Sequence, residues 1–192
     1  MREIRISISL FLLLALLTGL AYPMAILGIG QVLFPNAANG SLIEDNGAVI
    51  GSSLIGQNFT DAIYFHGRPS AAGNGYDAAN SSGSNLAPSS TDLSKAVGER
   101  VAAFHNENGK NVRVPADIIT ASASGLDPDI SIEAAIAQVN RVAAARQMTI
   151  PTVSALISET TKFRALGIFG ENRVNVLELN RALDQAAPMK KQ

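Results

Sequence analysis

The feature that most constrains this chain is a long stretch without charge near its N-terminus. Between Arg5 and Glu44 there is no charged residue, and from Ile6 to Phe34 almost every position is apolar, small or aromatic. A helix needs roughly 20 apolar residues to cross the hydrocarbon core of a bilayer. The stretch from Ile8 to Phe34 exceeds that length, and no later stretch is as hydrophobic. The sequence therefore predicts one transmembrane helix.

The residues that flank the stretch predict its orientation. Arg2 and Arg5 precede it, whereas Glu44 and Asp45 are the first charged residues after it. Basic residues favour the cytoplasmic side. We therefore expect residues 1–34 to form a short cytoplasmic stub and the transmembrane helix, and residues 35–192 to form a single extracytoplasmic domain, periplasmic in a bacterium.

A cleaved secretory signal is the alternative interpretation of the same stretch. A basic start, an apolar run and the small residues Gly19 and Ala21 could mark a processing site. Apolar residues continue past Ala21 as far as Leu33, however, where a mature secreted domain would normally become polar. Both interpretations export the same domain.

Composition limits what the exported part can be. The chain has no cysteine, which excludes a disulfide framework, so the domain must be stabilised by its core. The formal net charge is −1, and we expect no nucleic-acid surface. This combination suits the outer face of a bacterial inner membrane.

The predicted fold class is α+β. Two short strands are expected, one within residues 47–59 and one at residues 64–66, followed by a long loop at about 67–90 that is rich in Gly, Ser and Asn. A third strand, with an edge or bulge at Pro115, is expected within residues 112–123. Helices are expected to begin at Ser90 or Thr91, after Ser131 and at Pro151, and a short one to span about 177–186.

The helix after Ser131 has the strongest periodic pattern. Its apolar positions recur at three and four residues, which places them on one packed face: Ile136, Val139, Val142 and Ala143. Gln138, Arg141 and Arg146 are expected to face elsewhere.

Small residues in the apolar stretch could serve helix packing. Ala15 and Gly19 are four residues apart, as are Ala21 and Ala25, and small residues at that spacing let another helix approach closely. Pro23 is expected to kink the span. Membrane lipid and a partner helix are the expected neighbours of this segment.

The sequence contains no recognisable catalytic or metal-binding set. No lysine follows a glycine in a P-loop pattern, and two isolated histidines do not predict a metal site. His66 could activate a serine, with Asp127 or Asp77 orienting it, and the candidate nucleophiles lie among glycines: Ser82, Ser84, Ser122 and Ser124. No Gly-x-Ser-x-Gly supports that reading, and these hydroxyls more often cap turns. Arg68 could equally pair with a carboxylate to hold the loop.

Several longer strings are more specific than any short motif. They are GSSLIGQNF (51–59), YFHGRPSA (64–71), SSGSNLAPS (81–89), VPADIITASASGLDPDIS (114–131) and RVNVLELNRALD (173–184). Together they resemble the C subunit of Kdp-type potassium-transporting ATPases. The resemblance extends from the N-terminal helix to the last helix, in the same order.

The resemblance implies a bacterial inner-membrane complex that imports potassium. Its expected partners are a channel-like potassium-translocating subunit, a P-type ATPase subunit and a small single-helix subunit. In this family the C subunit is described as a catalytic chaperone that assembles the complex and raises the affinity of the ATPase subunit for ATP. ATP and potassium are therefore expected at the level of the complex, and no cofactor is expected to be bound by a motif of this chain. With the domain outside and ATP inside, such an effect would be allosteric.

The resemblance brings no catalytic residues with it. The expected partner-binding surfaces are three loop strings, represented by Tyr64, His66, Arg68, Ser82, Ser84, Asn85, Ser122, Ser124 and Asp127. A membrane-anchored binding module, whose long loop holds a small ligand, and a serine hydrolase remain as alternatives.

Overall fold

A computed structural model describes residues 1–45 and 47–188. The chain divides into two compact units, Met1–Ser52 and Ser53–Gln192. The predicted domain limits of 1–34 and 35–192 remain a prediction, and Asn46 and residues 189–192 of that domain lie outside the described residues.

The first unit contains the apolar helix. Helix α1 (Arg2–Leu16), a π-helical turn (Leu17–Ala21) and helix α2 (Tyr22–Leu33) follow one another without a break. Together they form a helix of 32 residues, which contains an 18-residue stretch with a mean hydropathy of 2.3, none of it buried within the protein. The length and composition suit a membrane span.

The π-helical turn lies just before Pro23. A proline has no N–H to donate to the carbonyl four residues earlier, here that of Gly19. The backbone instead widens, and the Tyr22 N–H donates to the carbonyl of Leu17. The Thr18 hydroxyl donates to the Leu14 carbonyl at 2.8 Å and satisfies a further backbone group.

A short helix and a hairpin complete the first unit. Helix α3 (Pro35–Ala38) precedes strands β1 (Leu42–Asp45) and β2 (Ala48–Ser52), which pair antiparallel. Gly47 between them has φ +78°, a conformation that glycine adopts without strain. Strand β2 lies within the predicted strand region 47–59; β1 was not expected.

The second unit is an α+β fold, as predicted. Its elements are a 3₁₀ turn (Ala78–Asn80), α4 (Thr91–Asn108), α5 (Ala116–Ile119), β3 (Asp129–Ser131), α6 (Ile132–Arg146), α7 (Ile150–Thr160), β4 (Thr161–Lys162), β5 (Arg173–Asn175) and α8 (Val176–Ala186). The three strands form an antiparallel sheet in the order β3, β5, β4. Helices α6, α7 and α8 contribute most of the buried side chains.

One hydrophobic core unites these helices, the sheet and a loop residue. Its fully or almost fully buried members include Phe65, Ile130, Val139, Val142, Val153, Ile157, Val174, Leu179 and Leu183. Phe65 belongs to no helix or strand, yet none of its surface is exposed. The loop before residue 67 is therefore anchored in the core.

The predicted helix starts are confirmed. Ser90 caps α4, and Ser131 caps α6 by accepting a hydrogen bond from the Ala134 N–H at 3.0 Å. Thr149 caps α7, and Pro151 lies in its first turn. These hydroxyls accept bonds from N–H groups that have no partner within the helix.

The strand predicted at Tyr64 to His66 is wrong. Tyr64 lies in a bend, and the segment belongs to no strand. Its backbone groups are bound by amide side chains of helices α6 and α8 instead. Partners so distant in sequence cannot be predicted from the local residue pattern.

The strand predicted within residues 112–123 is also wrong. Pro115 precedes the short helix α5, and its φ of −70° suits a helix start. The Asp117 carboxylate, in the first turn of α5, accepts bonds from the Ser131 N–H at 2.7 Å and the Ser131 hydroxyl at 3.1 Å. These contacts with the start of α6 therefore stabilise a helical turn where the β-branched residues predicted a strand.

The prediction of a packed face on α6 is confirmed at Val139, Val142 and Ala143 and is wrong at other positions. Ile136 is 60% exposed, whereas Gln138 is 1% and Arg146 5% exposed. The core contains two small residues of the first turn, Ala134 and Ala135, together with Val139. The helix thus turns polar side chains inward, toward the loop that contains Phe65.

Candidate functional site

The main polar cluster of the second unit surrounds residues 62–66, named here the clamped segment. Four polar side chains from two helices bind its backbone: Gln138, Arg141 and Arg146 of α6, and Asn180 of α8. None of these four residues was among the predicted site residues, although Asn180 lies within the string 173–184. Gln138 could have been found, because it lies four residues from both Ala134 and Val142 on one helix face.

Two amide side chains bind the clamped segment in the manner of a neighbouring strand. The Phe65 N–H donates to Asn180 Oδ1 at 2.8 Å, and Asn180 Nδ2 donates to the Phe65 carbonyl at 3.0 Å. The His66 N–H donates to Gln138 Oε1 at 2.8 Å, and Gln138 Nε2 donates to the His66 carbonyl at 3.2 Å. Each amide thus satisfies both backbone groups of one residue.

Two arginines of α6 bind the remaining carbonyls of the segment. Arg141 Nη1 donates to the carbonyls of Ala62 and Tyr64 at 2.7 and 2.9 Å. Arg146 Nε donates to the Ile63 carbonyl at 2.6 Å. Hydrogen bonds from charged donors are stronger than those between neutral groups, so the backbone is firmly held.

Tyr64 adds a side-chain contact to the same clamp. The Arg146 guanidinium lies 4.9 Å from the centre of the Tyr64 ring and donates to Asp184 Oδ1 at 2.7 Å. The Tyr64 hydroxyl donates to Asp184 Oδ2 at 3.1 Å. Burial and the nearby Asp184 carboxylate raise the pKa of Tyr64, so this hydroxyl remains a donor.

His66 lies at the edge of the clamp. Its Nε2 is 3.1 Å from the Asp61 carbonyl and its Nδ1 is 3.2 Å from a Glu107 carboxylate oxygen. Burial and the charge of Arg141 nevertheless lower the pKa of His66, against the opposing effects of the Asp61 carbonyl and Glu107. The neutral ring is therefore favoured near pH 7.

Arg68 forms an ion pair with Asp127. Arg68 Nη1 donates to Asp127 Oδ2 at 2.8 Å, and both side chains are partly buried. The pairing of Arg68 with a carboxylate, considered from the sequence, is confirmed. Tyr76 donates its hydroxyl to the Arg68 carbonyl at 2.5 Å, and burial raises the pKa of Tyr76 to about 12.

The serine-rich strings contact each other. The Ser82 N–H and the Ser81 hydroxyl both donate to the Ser124 carbonyl, at 3.0 and 2.9 Å. The Ser82 and Ser124 hydroxyls bond to nearby backbone, and Ser122 is buried. Gly125 allows this approach, because a Cβ there would lie 2.6 Å from the Ala72 N.

The predicted partner-binding residues therefore fall into two groups. Tyr64 and His66 bind residues of the helices, whereas Arg68 and Asp127 bind each other. The second group lies at or near the contact between the two serine-rich loops: Ser82, Ser84, Asn85, Ser122 and Ser124. Only Ser82, Ser84, Asn85 and Ser124 of all these residues are largely exposed. Their role in partner binding stays a prediction.

The role of the small residues of the apolar helix in helix packing also stays a prediction. Ala15, Gly19, Ala21 and Ala25 all lie on its surface, and a Cβ added at Gly19 would meet no atom within 4 Å. A neighbouring helix therefore has room to approach at Gly19.

A cleft of about 350 Å³ lies beside the clamped segment. Its lining includes His66, Arg68, Tyr76 and Glu107. Within the described residues, no three His, Asp or Glu side chains come together to hold a metal ion. The hydrogen bonds of the described serines and of His66 form no serine and histidine pair, which gives the hydrolase alternative no support.

Comparison with known proteins extends the sequence resemblance. A family model described as the c chain of the K⁺-transporting ATPase (KdpC) matches residues 4–185. A protein of Gemmatimonas aurantiaca is 52% identical over 185 residues, which cover 96% of this chain and 93% of that protein. One of Rhodospirillum rubrum is 53% identical over 190 residues, covering 98% of each. One of Mycobacterium tuberculosis is 50% identical over 186 residues, covering 96% of this chain and 98% of that protein, and all three are named potassium-transporting ATPase KdpC subunit.

Proposed function

Because the chain belongs to the KdpC family, the c chain of K⁺-transporting ATPases, we propose that it acts as the non-catalytic C subunit of an ATP-driven potassium uptake pump. The observation that carries the proposal is the match of the family model to residues 4–185, which covers most of both compact units. The relatives are named as subunits. In this chain the polar side chains of the clamp bind loop backbone, which suits a structural role.

We place this chain in a bacterial inner membrane as a single-pass protein. The helix from Arg2 to Leu33 is long and apolar enough to cross. Arg2 and Arg5 at its start favour a cytoplasmic N-terminus and a periplasmic second unit. In this arrangement the partners are the channel-like potassium-translocating subunit, the P-type ATPase subunit and the small single-helix subunit.

The proposed effect of this chain on the pump has two parts. It assembles the complex, and it raises the affinity of the ATPase subunit for ATP during potassium import. A periplasmic domain cannot reach cytoplasmic ATP, so the second effect is allosteric: the chain binds one conformational state of the pump better than another. The extensive clamping of its loops supports this role, because a rigid partner can distinguish two states of a neighbour.

The test is the pump purified with and without this chain. With the chain present, we expect a stable complex and potassium-stimulated ATP hydrolysis with a low KM for ATP. Without it, we expect a poor yield of complex and a KM for ATP raised by about 5- to 150-fold, the usual range of an allosteric coupling. A pump that assembles, transports and binds ATP equally well without the chain would contradict the proposal. A matched control is the chain carrying Gly98→Ala, which changes an open position in the middle of α4.

A further inference from the structure

A turn between β4 and β5 exposes an unusual concentration of apolar surface. Phe163 is 73%, Leu166 88%, Ile168 74% and Phe169 65% exposed. These side chains lie within seven consecutive residues, named here the apolar turn (residues 163–169), in which Arg164 is the only charged residue. Large apolar side chains scattered singly over a surface are ordinary, but a contiguous group marks an interaction site.

The apolar turn is held in one shape by its own backbone. The Ala165 N–H donates to the Phe169 carbonyl, and the Phe169 N–H donates to the Ala165 carbonyl, both at 2.9 Å. Leu166 adopts the left-handed conformation, with φ +54°, and Gly167 and Gly170 also have positive φ. A loop shaped before it binds loses less conformational entropy on binding.

The basic residues around the turn are already paired. Lys162 contacts Glu178 at 2.8 Å, Arg164 contacts Glu171 at 2.6 Å and Arg173 contacts Asp129 at 2.8 Å; these ion pairs leave no unpaired flanking cation within residues 162–173. Segments that bind lipid surfaces usually present unpaired basic residues to the headgroups, with Trp or Tyr at the interface. The apolar turn has neither, so its chemistry favours an apolar protein pocket over a lipid surface.

We infer that the apolar turn is a docking element that inserts into an apolar pocket on the extracytoplasmic face of a membrane-embedded pump subunit. This inference rests on the proposed function, which supplies the partner. The inference assigns the contact with the pump to residues 163–169. These residues lie outside the strings that carry the family resemblance, some of which were predicted as interaction surfaces. Those strings mainly contact each other and the helices, whereas the apolar turn is largely uncovered.

The test compares two variants of the full chain in the pump complex. Leu166→Asn combined with Ile168→Gln removes two apolar side chains, and asparagine accepts the left-handed backbone at position 166. The matched control is Ile150→Gln, which changes a similarly exposed isoleucine on α7. We expect the double variant to reduce recovery of the other subunits by about tenfold or more, as loss of a buried apolar anchor does, and the control to leave it unchanged. Thermal unfolding of each full chain in detergent verifies that both variants fold.

A cross-link identifies the occupant of the turn. The chain has no cysteine, so Leu166→Cys can carry a benzophenone at that position alone. We expect an adduct with a pump subunit in the assembled complex. Adducts with lipid only, or full assembly of the folded double variant, would overturn the inference while leaving the proposed function intact. Failure of the wild-type chain to purify with any pump subunit would overturn both.

Discussion

At the scale of single residues, Arg146 makes three kinds of contact within the clamp. Its side chain is fully buried, yet it binds the Ile63 carbonyl, the Asp184 carboxylate and the face of the Tyr64 ring. A buried guanidinium is tolerated only when its donors are satisfied. The same interactions therefore stabilise Arg146 and fix the segment that it binds.

Replacing Arg146 by methionine keeps a shorter, unbranched apolar side chain but removes every donor. We expect Arg146→Met to lower the free energy of unfolding by about 2–4 kcal/mol, because the Ile63 carbonyl and Asp184 lose bonds from a charged donor. Denaturant unfolding of the full chain in detergent measures the change. Arg146→Lys retains the charge and should give a smaller loss; equal stability of all three proteins would contradict the role assigned to Arg146.

His66 predicts a pH dependence with a defined sign. Its pKa in the folded protein lies below the value of about 6.5 expected for an unfolded chain. Above that pH both states hold a neutral ring, and the contribution to stability is complete. As the pH falls below 6.5, the unfolded chain takes up a proton that the folded chain resists, so stability is lost.

The comparison with His66→Gln isolates this effect. We expect the free energy of unfolding of the wild type to fall more steeply than that of the variant between about pH 6.5 and pH 5. Parallel pH profiles for the two proteins would show that His66 titrates alike in both states. Profiles at two salt concentrations would separate the contribution of exposed charges, which salt screens.

At the scale of elements, the contact between the two serine-rich loops depends on Gly125. Its φ of +66° is left-handed, and an added Cβ would lie 2.7 Å from both the Ala72 Cβ and the Ser82 carbonyl oxygen. The backbone strain and the steric clash of an added Cβ would both destabilise the folded chain. The contact should therefore tolerate no side chain at this position.

Two glycine substitutions provide a matched test. Gly125→Ala should destabilise the chain by about 2–3 kcal/mol through strain and displaced loops. Gly98→Ala should stabilise it by about 0.5–1 kcal/mol, because alanine favours a helix and nothing lies within 4 Å of its Cβ. Thermal unfolding distinguishes the two, and the same direction of change in both would refute this reading of the loop contact.

The helices of the second unit could be predicted from sequence, whereas the clamp could not. Ser90, Ser131 and Pro151 are local signals whose effect is confined to one turn of helix, and all three lie at the observed starts. The state of Tyr64 depends on Asp184, which lies 120 residues away. No local pattern encodes such a partner, which is why the strand prediction for residues 64–66 is wrong.

At the scale of the whole molecule, the orientation in the membrane is open to a direct test. Ser84 is exposed, and Ser84→Cys would be the only cysteine of the chain. We expect a membrane-impermeant thiol reagent to label it in cells whose outer membrane is permeable and whose inner membrane is intact. Labelling that requires lysis of the inner membrane, in a strain without the other pump subunits, would place the second unit in the cytoplasm and make direct contact with ATP plausible.

The clamp also determines when the protein can acquire its final form during synthesis. Phe65 is bound by Asn180, which lies 115 residues later, and the Ser53 carbonyl is bound by Asn175, which lies 122 residues later. The ribosome makes Ser53 and Phe65 long before their partners, so the early part of the second unit lacks these bonds until β5 and α8 have been synthesised. A chain truncated before β5 would lack both Asn175 and Asn180, so neither contact would form, and the Phe65 side chain that the complete protein buries would remain exposed.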